Sequence, residues 1–175
     1  MLNPPVSSRR QNEVVVQDGT HFFIRSARAE DEPALRSMLR HTSEEDIHLR
    51  CFSIVKDFSV VMAKRFVSYD TGTDAALVAL SKTDPNEIYG VAYFVRMAKN
   101  PNTAAFDVLV RCDFQGHGLG SELMKEMLQL ARGSGIRFLE GYILDENVTM
   151  LHIASELGFR TRDAAYGVVH VTAAL

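Results

Sequence analysis

Apolar residues recur along this chain in two periods, and the changes from one to the other outline its elements. Residues 1–19 carry Asn3-Pro4-Pro5, Ser7-Ser8 and several charges without a period, and read as a loose leader in which Val14-Val15-Val16 can pair as an edge strand. A short strand is expected over 21–26. Asp31-Glu32 before Pro33 then opens a helix with the stripe Leu35, Met38, Leu39, because acidic residues and proline suit a helix start. Ser43 with Asp46 three residues on resembles a capping box for a second short helix toward Phe52, and 59–69 reads as a third. Strands follow at 75–81 and 88–97, parted by the turn residues Asp84-Pro85-Asn86-Glu87, and Asn100-Pro101-Asn102 reads as the next turn. The apolar run 106–110 leads into a helix whose stripe is Leu119, Leu123, Met127, Leu130. A strand at 137–144, a helix at 147–157 and a strand pair near Arg160 and 168–171 complete a mixed α/β order, with the domain itself spanning 20–175.

Composition narrows the class more than the function. A chain of 175 residues with 46% hydrophobic content fits one domain with a real core. No apolar run approaches the roughly 18 residues of a membrane span, so no membrane partner and a cytoplasmic location are expected. A net charge of −3 argues against nucleic acid, since duplex binding wants a basic face. Cys51 and Cys112 form one conceivable pair that an intracellular chain does not need. The histidines and cysteines show no metal-ligand spacing, so no metal is expected, and no nucleophile elbow occurs.

The candidate chemistry lies at Gln115-Gly116-His117-Gly118-Leu119-Gly120, where a strand turns into a helix N-terminus. There the first backbone N–H groups lack an intrahelical partner and the peptide dipoles sum to positive charge, which suits a phosphate or pyrophosphate. Spacing separates three phosphate-binding schemes. The Walker pattern fails because Ser121-Glu122, not Lys-Ser/Thr, follows Gly120. A dinucleotide fingerprint finds Gly116, Gly118 and an acidic Glu140 about twenty residues on, but its third glycine falls on Ser121 and too little chain remains for that fold. The third scheme, Gln/Arg-x-x-Gly-x-Gly/Ala after an apolar strand, is met by Gln115, Gly118 and Gly120.

On these residues, and on the later Glu146-Asn147, Met150-Leu151 and Leu157-Gly158-Phe159, the stretch 108–159 resembles the acetyl-CoA-binding core of the Gcn5-related N-acetyltransferases. Two upstream pieces, Ile24 to Leu35 and Leu49-Arg50-Cys51-Phe52-Ser53, are similar to the acetyltransferase domain of bacterial protein lysine acetyltransferases that modify acyl-CoA synthetases, so the resemblance spans 22–160. It implies a single domain with a mixed, mostly antiparallel, twisted sheet flanked by helices. It also implies acetyl-CoA as cosubstrate, with Gln115, Gly116, His117, Gly118, Leu119, Gly120 and Ser121 around the pyrophosphate. Leu109, Val110 and Arg111 would offer backbone groups to the pantetheine amides, and Asn147 would serve either as a helix cap or beside the pantetheine arm. His117 would contribute its backbone N–H rather than its ring.

The implied reaction is direct attack of an amine on the thioester in a ternary complex. A lysine-like amine with a pKa near 10.4 is mostly protonated at neutral pH, a handicap of roughly 4 kcal/mol unless a base takes the proton. The leaving thiolate costs only about 1.4 kcal/mol, so a base matters more than an acid. Both familiar groups are missing here. The strand glutamate of the resembled enzymes falls on Ala105, and the tyrosine that serves many relatives as thiolate acid falls on Ala154. Asp107, two residues on and hence on the same strand face, is the candidate base acting through a water, with Tyr142, His152 and Ser155 as weaker ones. The expected function is N-acetyl transfer to an amine, either a protein lysine or a small molecule, by a monomer or homodimer. The alternatives are an acyl-CoA-binding sensor with little turnover and, further off, a dinucleotide oxidoreductase.

Overall fold

The computed structural model describes residues 11–42, 58–69 and 74–175. The expected helix at 43–52 and Cys51 lie outside them. One eight-stranded sheet runs through the described residues in the order β1-β2-β3-β4-β5-β6-β8-β7. Its strands are β1 (Asn12–Val15), β2 (His21–Ser26), β3 (Asp74–Ser81), β4 (Ile88–Met97), β5 (Asn100–Val110), β6 (Phe138–Leu144), β7 (Arg160–Ala165) and β8 (Val168–Ala174). Every neighbouring pair is antiparallel except β5 and β6. That one parallel step needs a crossover, which α3 (Leu119–Gly133) supplies.

Alternation along the central strands separates two cores. Ala92 and Phe94 of β4, with Ala104, Phe106, Val108 and Val110 of β5, pack with the buried stripe Leu119, Leu123, Met127 of α3. Met150 and Ala154 of α4 (Val148–Glu156) join the same core. Val91 and Leu109 turn the other way, onto Leu35, Met38 and Leu39 of α1 (Glu32–Arg40) and Ala63 and Phe66 of α2 (Phe58–Val67). Asp107 and Ala105 therefore share the α1/α2 face, as their spacing predicts. Gly90 lets α3 approach the sheet closely, since a Cβ there would stand 2.7 Å from Leu123 Cδ1.

One expected turn is displaced. Asn100-Pro101-Asn102 belongs to β5, and the chain reverses instead at the two residues Ala98-Lys99. The ladder jumps from Arg96↔Ala104 to Met97↔Asn100, leaving residues 101–103 as a bulge on β5. Pro101 fits such a place because it has no N–H to give to a ladder, and its carbonyl accepts the Arg96 guanidinium.

The β5–β6 ladder covers only Thr103↔Phe138, Ala104↔Leu139 and Ala105↔Glu140. Beyond Ala105 and Glu140 the two strands part. On the α3 side of that fork the Phe106 ring lies against Gly141, where a Cβ would stand 3.0 Å from Phe106 Cε1.

Candidate active site

The fork opens into a cleft of about 740 Å³ bounded by the end of β5, the first turn of α3 and the start of α4. A short 3-10 turn, Cys112–Phe114, carries the chain from β5 to Gln115. Gly116 and Gly118 then hold φ of 80° and 92°, left-handed conformations that favour glycine. Gly118 is the N-cap of α3 and supplies no side-chain cap. The first intrahelical bond joins Glu122 N–H to the Gly118 carbonyl at 3.2 Å, so the preceding N–H groups have no acceptor within the helix. Gly116, Gly118, Leu119, Gly120 and Ser121 all border the cleft. No lysine or arginine borders it among the described residues. An anion held there would rest on backbone dipoles, not on side-chain cations.

The expected site residues divide by which way they face. Arg111 N–H donates to the Tyr89 carbonyl at 2.8 Å, and its own carbonyl accepts Phe114 N–H at 2.9 Å. In an antiparallel pair alternate residues turn both backbone groups to the same neighbour, so Leu109 also faces β4 whereas Val108 and Val110 face the cleft. Val108 and Val110 line it accordingly, and Val108 is a cleft residue the sequence reading did not single out. The Arg111 side chain is also committed. Its guanidinium meets Glu87 and Asp113 at 2.6 Å each and covers the Tyr89 ring at 4.0 Å. Burial works against that charge, but the hydrogen bonds to Glu87 and Asp113 outweigh it and hold the guanidinium pKa above its ordinary value. The same bond from Arg111 holds Glu87 below the usual carboxylate range.

Gln115 turns its side-chain amide to the Val110 carbonyl at 3.2 Å, which ties the loop to the strand end. The His117 ring stacks on Phe114 at 4.6 Å and meets Asp18 at 2.8 Å, so the ring anchors the β1–β2 turn to the glycine loop. Gln17, in that turn, borders the cleft and touches Gly118, where a Cβ would stand 3.3 Å from Gln17 Cγ. No sequence signal pointed to Gln17, because only tertiary contact brings the first hairpin beside the loop. Asn147 caps α4 by accepting Met150 N–H at 3.2 Å and also borders the cleft. His152 sits on the cleft wall 3.3 Å from Glu156.

On the opposite face Ala105 is exposed and Asp107 half-buried, with the Asp107 carboxylate accepting Val108 N–H at 2.7 Å. Ala154 is fully buried in the α3-side core and Ser155 is exposed. Tyr142 lies on the Ala105 face, stacked on His170 at 4.7 Å. The described residues hold no cluster of three or more histidine, cysteine or acidic side chains able to bind a metal, and no helix among them is long and apolar enough to cross a membrane.

Comparison with known proteins agrees with this geometry. An acetyltransferase of Pseudomonas aeruginosa is 26% identical over 159 residues, covering 89% of this chain and 85% of that protein. The crystal structure of the GNAT domain of S. lividans PAT superposes with a TM-score of 0.85 at 24% identity, covering 94% of this chain and 97% of that one. The structure of yncA from Salmonella typhimurium with its cofactor acetyl-CoA gives a TM-score of 0.69 at 18% identity, covering 87% and 93%. The model of the acetyltransferase (GNAT) family matches residues 24–159, from the second strand through the last helix. A splayed β5–β6 pair, a glycine-opened helix and a match over most of the chain lead to one conclusion: this protein belongs to the GNAT acetyltransferase family.

Proposed function

We propose that the protein moves an acetyl group from acetyl-CoA to a primary amine, with both substrates bound at the fork between β5 and β6. The observation that carries this reading is the uncapped α3 N-terminus, whose free N–H groups open into the cleft that leads to the fork. The loop from Gln115 to Ser121 would hold the pyrophosphate, with Gly116, Gly118 and Gly120 giving it access to the backbone. Val110, with Val108 beside it, would meet the pantetheine amides, and Asn147 would border that arm while capping α4. Leu109 and Arg111 would support the site from behind, since the Arg111 backbone is already engaged.

The amine would approach from the α1/α2 face, where a carboxylate must take its proton. Asp107, the base expected from its spacing to Ala105, lies on that side. A protein lysine is the favoured acceptor class, on the likeness to the GNAT domain of S. lividans PAT and the similarity of 22–160 to lysine acetyltransferases. Residues 20–175 would form the catalytic domain, acting in the cytoplasm as a monomer or homodimer.

Calorimetry with millimolar acetyl-CoA, followed by thiol release on a panel of lysine peptides and small amines, tests the proposal. Heat of binding with amine-dependent thiol release is expected. Absence of binding heat would sink the reading, and binding without release from any amine would make the protein an acyl-CoA sensor.

A further inference from the structure

Glu140 is a carboxylate that neither phosphate binding nor Asp107 accounts for, and its place in the sheet is informative. It pairs with Ala105 in the parallel ladder, so its Cα lies one strand spacing, about 4.8 Å, from the position of the missing glutamate. Residues in register in neighbouring strands point to the same face, so Glu140 shares the acceptor side with Ala105. The pair Ala105 and Glu140 is also the last rung before the strands part. Glu140 therefore stands at the apex of the fork, and the small Ala105 leaves the space beside it open.

A second group converges on the same carboxylate. His170 of β8 is the register partner of Tyr142, and its Nε2 stands 3.5 Å from Glu140 Oε2. That nitrogen is buried and makes no hydrogen bond among the described residues. The Tyr142 ring stacks on the imidazole at an interplanar angle of 19°, which restricts the tilt of the His170 ring. The side chains of His170 and Glu140 are 24% and 22% exposed, reachable by an acceptor yet largely withdrawn from solvent. Asp107, by contrast, already has one oxygen on the Val108 amide.

We infer that Glu140, not Asp107, is the base that deprotonates the acceptor amine, and that His170 positions it: the catalytic carboxylate has moved one strand across, from Ala105 to its ladder partner. The inference rests on the acetyl-transfer reading above. The ammonium of the acceptor gives one proton to the Glu140 carboxylate, directly or through a water. The freed nitrogen lone pair forms the N–C bond to the thioester carbonyl carbon as the C–S bond breaks and its electron pair leaves on sulfur. The second nitrogen proton goes to that thiolate, giving free CoA thiol, and the Glu140 proton leaves to solvent past His170. The sum is ammonium plus acetyl thioester giving amide, thiol and one proton.

Glu140 faces Asp107 from β5, His170 and Thr172 from β8 and Tyr142 on its own strand, so the test must separate the two carboxylates. Full-length wild type, Glu140→Gln, Glu140→Asp, His170→Asn and Asp107→Asn are compared for acetyl-CoA affinity and for kcat/KM against pH on the best amine of the panel. Glu140→Gln should bind acetyl-CoA as wild type does and lose about 100-fold to 1,000-fold in kcat/KM at pH 7.5. Its rate should then climb with hydroxide until the amine deprotonates unaided, a slope the wild type does not show. Glu140→Asp should recover part of the loss, and His170→Asn should lose less than Glu140→Gln. A Glu140→Gln enzyme with the wild-type profile, or the same change of slope appearing in Asp107→Asn instead, overturns the assignment. Should the glutamine variant not fold, Glu140→Ala takes its place, and a wild-type rate and pH profile in it overturn the assignment equally. A wild type that releases no thiol on any amine removes the acetyl-transfer reading and this inference with it.

Discussion

Gly118 carries two demands at one residue. Its φ of 92° is a conformation that other residues adopt at a cost of about 1–2 kcal/mol, and Gln17 Cγ stands 3.3 Å from where a Cβ would lie. Gly118→Ala should therefore lower the melting temperature modestly and weaken acetyl-CoA more than tenfold, because the added methyl displaces the first-turn amides from the anion. Calorimetry on the variant checks this, and unchanged affinity would remove the loop from the site. Gly120 is different, since a Cβ there would meet Ile153 and Val110 only at ordinary distances of 3.6 and 3.7 Å. At Glu87 the effect is one of pH. Arg111 holds its carboxyl below the usual range, so the ion pair contributes stability that is full above the ordinary carboxylate pKa and is lost as pH falls through the depressed one. Acid melts of wild type and Glu87→Gln should draw together as pH falls from the ordinary carboxylate value, about 4.3, through the depressed one, with wild type the more stable above that window. Parallel curves across that window would show that the pair does not anchor the end of β5.

Elements carry the next set of consequences. The stripe Leu119, Leu123, Met127 was legible in α3 because a 3.6-residue period announces itself locally, and the same holds for Leu35, Met38, Leu39 in α1. The start of β5 was not, because Asn100-Pro101-Asn102 has turn composition and only the bulge against β4 makes it strand. Close contact between α3 and the sheet rests on Gly90. An added methyl would meet Leu123 Cδ1 at 2.7 Å and the Leu109 carbonyl at 3.2 Å, both in packed core. Gly90→Ala should destabilise by about 1–3 kcal/mol, the usual range for overpacking. The same shift of α3 should weaken acetyl-CoA, although no residue of the cleft is altered. A denaturant midpoint equal to wild type would show that Leu123 repacks freely.

At the scale of the molecule the sheet divides the labour. In the proposed reaction the α3/α4 side would take the cofactor and the α1/α2 side the acceptor, on either side of the β5–β6 fork. The first hairpin closes one side of the cleft, through Asp18 on His117 and Gln17 on Gly118. The chain by itself determined the mixed α/β order, the two helix stripes and the glycine loop, because each rests on short-range periodicity or on a turn that only certain residues can make. The resemblance it carries implied that alanines stand at both familiar catalytic positions, Ala105 and Ala154. Only the tertiary structure decided which backbone groups of residues 108–111 face the cleft, since that depends on the register with β4. It alone brought Gln17 to the glycine loop across about a hundred residues of chain and set Glu140 beside Ala105 with His170 near it. Ladder partners far apart in sequence leave no periodic trace, and so the juxtaposition of Glu140 with Ala105 becomes visible only when the strands lie side by side.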